Sequence, residues 1–196
     1  MKKISYSQYS MWAQCPHRWK TAYIDGHREF SDNIHTLFGT SMHEVIQTFL
    51  TVMYNDTAKM AEALPLEDML LTRMKRNFES VLETNGGEMF CTEKDMVEFY
   101  QHGVEILKFI RKKRAQYFSK KGYELIGIEV PLNYDLPNNV KFVGYIDIVI
   151  RDTVRDVIKI YDIKTSTMGW NKWMKADKNK TDQLLLYKQF YSKQFN

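Results

Sequence analysis

The sequence predicts an α/β fold in which a long helical part precedes a small mixed sheet and one closing helix. Three observations carry that prediction. Up to residue 121, apolar side chains recur at three- and four-residue spacing, the period of an amphipathic helix. After Gly122 the pattern changes to short runs rich in Ile, Val and Tyr, broken by clusters of Asp, Asn and Pro. Near the C-terminus the helical spacing returns.

Ser5 and Ser7 are candidate N-caps for a short aromatic helix through Gln14, because a hydroxyl there can accept a free first-turn N–H. Pro16 can open a second helix through about Ile24, since its missing N–H is not needed in a first turn. Asp25 to Thr36 reads as a loop. From Phe38 to Tyr54 the positions Met42, Val45, Ile46, Phe49, Leu50 and Met53 form one apolar face. Pro65 starts a further helix, Leu66 to Glu83, which Gly86-Gly87 stops, and another runs from Thr92 to Ser119. Glu124–Asn133, Val140–Arg151 and Val157–Thr165 then read as three successive strands of a meander, with turns at Asp135–Asn139 and Asp152–Asp156. Met168–Asn179 is a loop containing Trp and Lys, and Thr181 or Asp182 caps a last helix through Phe195. With no repeat, low-complexity tract or linker, residues 1–196 are expected to form one domain, mainly helical over 1–121 and carrying the sheet and C-terminal helix over 122–196.

Composition narrows the class of protein. The chain has 196 residues, 44% of them hydrophobic, which suits a single well-buried core and excludes a disordered or fibrous chain. No apolar run approaches the roughly 18 residues of a membrane span, and the N-terminus lacks a signal-peptide core, so an intracellular, cytoplasmic protein is expected. Cys15 and Cys91 are too few for a disulfide framework or a four-cysteine metal site, and read as free thiols of a reducing compartment. The net charge of +4 is mild but uneven: residues 55–100 carry ten acids against five bases, whereas Lys108–Lys121 has seven bases and no acid. That stretch would attract a polyanion, although a solvated basic helix face has the same composition.

The chemistry is carried by charged interruptions in strands that otherwise look buried. Asp147 sits in the middle of Gly144-Tyr145-Ile146-Asp147-Ile148-Val149-Ile150. In Tyr161-Asp162-Ile163-Lys164-Thr165, strand alternation would place Asp162 and Lys164 on one face. A buried carboxylate needs a cation, a hydrogen-bond network or a shifted pKa. A buried ion-pair network would meet that need, but such networks rarely gain stability over apolar packing. Adjacent strands could instead bring Asp147 and Asp162 to one divalent ion beside Lys164, the combination that metal-assisted attack on a phosphodiester requires.

These residues fall in a longer ordered series: Ser5-Tyr6-Ser7-Gln8-Tyr9, Cys15-Pro16-His17-Arg18-Trp19 and Tyr23, Phe38-Gly39-Thr40-Ser41-Met42-His43, Glu129, Gly144-Tyr145-Ile146-Asp147, Asp162-Ile163-Lys164-Thr165, and Gln183-Leu184-Leu185-Leu186-Tyr187. In that order and spacing the chain resembles the PD-(D/E)XK nucleases, in particular the RecB-like branch with its CRISPR-associated RecB-like exonucleases. The resemblance covers nearly the whole chain. It implies a restriction-endonuclease-like core and a metal-dependent deoxyribonuclease. It implies Asp147 and Asp162 as metal ligands, completed by the backbone carbonyl of Ile163, with His43 as a further ligand from a helix and Lys164 as the catalytic lysine. Gln183 and Tyr187, four apart on one helix face, would shape the active site, and Glu129 would sit beside the metals.

The implied ion is Mg2+ or Mn2+, and the imidazole of His43 favours Mn2+-like ions somewhat. Some members hold an iron–sulfur cluster with one Cys beside the Cys-Pro pair and three near the C-terminus. Nothing after Cys91 in this chain is cysteine, so no iron–sulfur cluster is expected and Cys15 is expected to be a packing residue. Relatives usually continue past the last helix, which makes this chain read as a minimal or C-terminally truncated version. The expected substrate is DNA, single-stranded or at duplex ends, cut exonucleolytically to 5′-phosphate and 3′-hydroxyl products. A structure-selective endonuclease and a non-cleaving nucleic-acid-binding module on the same fold are the alternatives. Ser7 and Arg18 could contact phosphates, and Lys172, Trp173 and Lys175 combine cations with a stacking ring. The N-terminal aromatics Tyr6, Tyr9, Trp12, Trp19 and Tyr23 are read mainly as helix packing.

Overall fold

Strand β3, Val140–Asp152, is the axis of the fold. The structure is a computed structural model and describes residues 2–27, 32–165 and 178–195. Along one edge of β3 runs β2 (Tyr123–Leu136), antiparallel over its whole length. The other edge is shared by two short strands. β1 (Lys2–Ile4) pairs in parallel with Val140–Phe142, and β4 (Val157–Tyr161) pairs antiparallel with Ile148–Asp152. The result is a mixed four-stranded sheet built on the expected meander. Between those two partners, Val143 to Asp147 has no ladder partner on that edge among the described residues.

The turns follow from their residues. Asn138 and Asn139 take positive φ, 60° and 57°, in the β2–β3 connection, a conformation Asn tolerates better than most side chains. In the β3–β4 turn the Asp152 carboxylate accepts the N–H groups of Val154 and Arg155 at 3.3 and 3.1 Å. The Arg155 N–H, with Lys159 beside it, holds the carboxyl below the ordinary range.

The helices are α1 (Tyr6–Gln14), α2 (Pro16–Tyr23), α3 (Ile34–Asn55), α4 (Ala58–Glu62), α5 (Leu66–Thr84), α6 (Glu93–Tyr117) and α7 (Lys178–Phe195). Helix α3 begins four residues before the expected Phe38, because Asn33 and Thr36 close a capping box there. Thr92 and Asp95 make the same box for α6. Two elements escaped the sequence reading: α4 is a single capped turn, and β1 has three residues, two of them Lys, too short to show alternation.

Helices α3, α5 and α6 cover one face of the sheet. Their core joins Phe38, Met42, Val45, Phe49, Leu70, Met74 and Leu107 to Ile148 and Ile150 of β3. Gly103 allows this packing: a Cβ there would lie 2.4 Å from Leu70 Cδ2 and 3.0 Å from Phe38 Cε2. Helix α7 covers the other face, where Tyr187, Phe190 and Tyr191 meet Leu132, Phe142, Ile146 and Val149. Phe142 and Phe190 stack with centroids 4.1 Å apart.

Candidate metal centre

Besides the irregularity at Leu125/Gly127 of β2, the side-chain alternation breaks on both long strands at the same level of the sheet. Phe142 and Ile146 face α7, yet Ile148 and Ile150, of the same parity, face α3. On β2 the same exchange separates Ile128, on the α3 side, from Val130 and Leu132, on the α7 side. The residues at the two breaks are Asp147 and Glu129, opposite one another between the pairs Ile128↔Ile148 and Val130↔Ile146. Glu129 has φ of 49°, a left-handed conformation that a Glu in a strand rarely adopts. Backbone strain of this kind costs on the order of 1–3 kcal/mol and clusters at functional sites. On the other side of β3, Asp162 follows directly after the last ladder pair, Ile148↔Tyr161. Three carboxylates therefore flank one point of the sheet.

Helix α3 brings His43 to the same point. One ligand atom from each of His43, Glu129 and Asp147 lies within 4.8 Å of the others. The Nε2 of His43 is 2.7 Å from the Ile163 carbonyl oxygen, and its Nδ1 is 3.9 Å from Asp147 Oδ2. The Ile163 N–H donates to that same Asp147 oxygen at 2.6 Å. Gly39, one turn before His43, lies against this segment: a Cβ there would be in ordinary contact, 3.5 Å from Thr165 Oγ1. Ser41 is buried and tied down, donating to Leu37 O at 2.8 Å and accepting from Asn77 Nδ2 at 3.0 Å.

Asp162 departs from the expected arrangement. It is not part of the His43–Glu129–Asp147 group. Its carboxylate is occupied by Lys164 Nζ at 2.7 Å and by Gln183 Nε2 at 3.1 Å, and Gln183 also reaches Tyr187 Oη at 3.2 Å. Strand β4 stops at Tyr161, so strand alternation does not place Asp162 and Lys164 as expected; they meet through their ion pair instead. Gly144 leaves room for Tyr187 over the sheet, since a Cβ there would come 3.2 Å from the phenol ring.

Burial is the main influence on the Asp147 carboxyl and raises its pKa. The Ile163 N–H and His43 oppose that shift, while Asp162 and Glu129 add to it by like-charge repulsion. Burial also raises the pKa of the Tyr187 phenol, which stays protonated at neutral pH. A cation would relieve exactly the repulsion that these carboxylates suffer, and the donor set fits one. Carboxylate and carbonyl oxygens suit Mg2+ and Mn2+, and the imidazole suits Mn2+. His43 Nε2 and the Ile163 carbonyl oxygen, 2.7 Å apart, are close enough to serve one ion together.

The remaining expectations divide. Ser7 and Arg18 are exposed on α1 and α2, whereas Lys172, Trp173 and Lys175 lie outside the described residues. The N-terminal aromatics divide: Tyr6 packs against the core under α7 and Trp19 and Tyr23 are half-buried, as expected of packing residues, whereas Tyr9 and Trp12 are 45% and 50% exposed. Cys15 is exposed too, and its Sγ accepts the Arg18 N–H as the N-cap of α2 instead of filling a core. The basic stretch is largely spent internally. Lys108, Arg111 and Arg114 pair with Glu105, Glu67 and Glu62, and Lys120 donates to Tyr54 O, which leaves Lys112, Lys113 and Lys121 without an ion-pair partner among the described residues. The sequence reading missed Gln47, whose Nε2 is 2.5 Å from Glu129 Oε1; its spacing of four from His43 was the available signal.

No described helix is long and apolar enough to cross a membrane. The family model described as the PD-(D/E)XK nuclease superfamily matches residues 3–196. No curated protein matches the chain.

Proposed function

The chain belongs to the PD-(D/E)XK nuclease superfamily, and we propose that it is a metal-dependent deoxyribonuclease that degrades DNA from ends or single strands. The observation that carries this reading is the gathering of His43, Glu129 and Asp147 beside the Asp162–Lys164 pair. When bound, a Mg2+ or Mn2+ ion supplies Lewis-acid polarisation of the scissile phosphate and makes water a nucleophile at neutral pH. His43, Glu129, Asp147 and the Ile163 carbonyl are the residues that would hold it, and Asp162, beside them in its pair with Lys164, would be a further ligand.

The other residues act on the substrate and on one another. Lys164 is 46% exposed and only two residues from the carboxylate it pairs with, so an incoming phosphate can take over its ammonium. There it neutralises the charge that develops on the phosphoryl oxygens and orients the attacking water for in-line displacement. The Ile163 N–H holds Asp147 in one orientation, and Gln183 does the same for Asp162. Tyr187 supports Gln183 and closes the α7 side of the site against water. In-line attack with departure of the 3′-oxygen leaves 5′-phosphate and 3′-hydroxyl ends.

Access to single strands is supported by α1 and α2. Residues 2–24 contain Lys2, Lys3, Arg18 and Lys20 and no acid, and their exposed Tyr9 and Trp12 offer faces for base stacking. Ser7 and Arg18 stand on the same pair of helices for phosphate contact. The free thiols of Cys15 and Cys91 suit a reducing, intracellular compartment, and we read the chain as one nuclease domain. The test is digestion of end-labelled linear, circular, single- and double-stranded DNA with Mn2+ and with Mg2+. Cleavage of linear substrates that Lys164→Ala abolishes is the expected result; undiminished cleavage by a purified Lys164→Ala protein would overturn it.

A further inference from the structure

Gln47 is the polar residue at this centre that the proposed chemistry leaves without a task. It lies one turn after His43 on α3, so both side chains project toward the same break in the sheet. Its amide donates to Glu129 Oε1 at 2.5 Å, the only hydrogen bond found for that carboxylate among the described residues. Glu129 needs such a partner more than Asp147 does. Asp147 is largely enclosed and anchored by the Ile163 N–H, whereas Glu129 is exposed, has one more rotatable bond and stands on a left-handed backbone. An unrestrained exposed Glu loses rotamer freedom when fixed, and an ion that must fix it binds more weakly for that reason.

We propose that Gln47 is a positioning residue for the metal centre: it binds one oxygen of Glu129 and leaves the other aimed at the ion shared with His43 and Asp147. This rests on the reading of that group as a metal site. The choice of residue follows from chemistry. An amide N–H can hold a carboxylate without adding charge, whereas Lys or Arg at position 47 would neutralise the ligand and compete with the cation. A single turn of α3 thus supplies a ligand and the support for a second ligand on the sheet. Outer partners of this kind affect metal affinity by about 10–100-fold.

The test is calorimetric titration of Mn2+ into the metal-stripped full chain for wild type, Gln47→Ala, Glu129→Gln, the double variant and Asp147→Ala. Thermal unfolding in EDTA checks that each is folded. Gln47→Ala is expected to weaken Mn2+ binding about 10-fold or more, with the double variant binding no worse than Glu129→Gln alone, because Gln47 acts only through Glu129. Its melting temperature in EDTA should stay near that of wild type, a result that a merely structural role would not give. Gln47→Asn, one methylene too short to reach, should fail like Gln47→Ala. Unchanged affinity in Gln47→Ala, or additive losses in the double variant, overturns the positioning role while leaving the centre intact. If wild type binds no Mn2+, or Asp147→Ala binds as wild type does, the metal-centre reading itself fails and the proposal falls with it.

Discussion

The two sides of helix α3 follow different rules. One side, with Met42, Val45, Ile46, Phe49 and Leu50, is buried in the apolar core. The other, with His43 and Gln47, meets the carboxylates of Asp147 and Glu129 at a strained break in the sheet. The first arrangement satisfies every local preference and stabilises the fold. The second collects like charge in a partly buried place and opposes it. One rigid helix serving both fixes His43 relative to the sheet through packing that has no part in the chemistry.

The sharpest way to separate the two sides is to remove charge from the second. Lys164→Ala and Asp147→Ala are each expected to lower cleavage at least about 10²–10³-fold, as loss of one charge-stabilising group does. Circular dichroism should stay native, and a fall in activity matched by loss of folded protein would show that the sides are not separable. Adding volume to the apolar side should do the reverse. Gly103→Val forces a side chain against Leu70, Phe38 and Met42, and should destabilise by roughly 1–3 kcal/mol. In a chain this long, melting should fall about 2–4 °C per kcal/mol. Cleavage per folded molecule, measured well below the transition, should not change.

A further prediction concerns the exposed aromatic surface, which belongs to neither side. Trp12→Ala should weaken single-stranded DNA binding by about 1–3 kcal/mol and leave Mn2+ affinity and melting temperature alone. Equal binding by the variant in a filter or anisotropy assay would remove α1 from the substrate path. The smallest effect sharpens the comparison most. Folding raises the Asp147 pKa above its ordinary 3.8, so over that window the folded state holds more protons than the unfolded one. Metal-free stability therefore falls as pH rises through the window, and the deficit persists at neutral pH. Asp147→Asn, which has no charge to lose, should melt a few degrees above wild type in EDTA at pH 7, with the gap closing below pH 3.8. A variant that melts lower at pH 7 would mean that the charged carboxylate stabilises the fold.

Much of this was legible in the sequence, for reasons that differ by element. The apolar face of α3 could be read because six residues repeat at a helical period, and the meander because β-branched runs alternate with turn residues. Lys164 and Asp162 stood out as charge inside apolar runs. What could not be read depended on contacts between distant parts of the chain. Glu129 looked like one acid among many, since its left-handed backbone and its place opposite Asp147 come from the pairing of β2 with β3. Asp162 was legible as important but not as the partner of Lys164 and Gln183, because where β4 ends is set by the sheet and not by local pattern. The exposure of Tyr9 and Trp12 had no sequence signal at all. Aromatic residues at helical spacing suggest a buried face, and only the position of neighbouring elements shows that Tyr6 packs on the core while Tyr9 and Trp12 stay exposed.

Strand β1 carries a consequence for the order of events during folding. Lys2–Ile4 finds its partner at Val140–Phe142, and the Lys2 N–H bonds the Asn139 carbonyl at 3.0 Å. At a synthesis rate of about 5–20 residues per second, the first strand leaves the ribosome on the order of 10 seconds before its partner exists. The loop closed by that pairing runs from Ile4 to Val140, more than two-thirds of the chain, and its closure entropy is recovered only after the β2–β3 hairpin is in place. The prediction is that the amides of residues 2–4 gain hydrogen-exchange protection last in pulse-labelled refolding, after those of β2 and β3; protection of β1 that precedes the hairpin would contradict it.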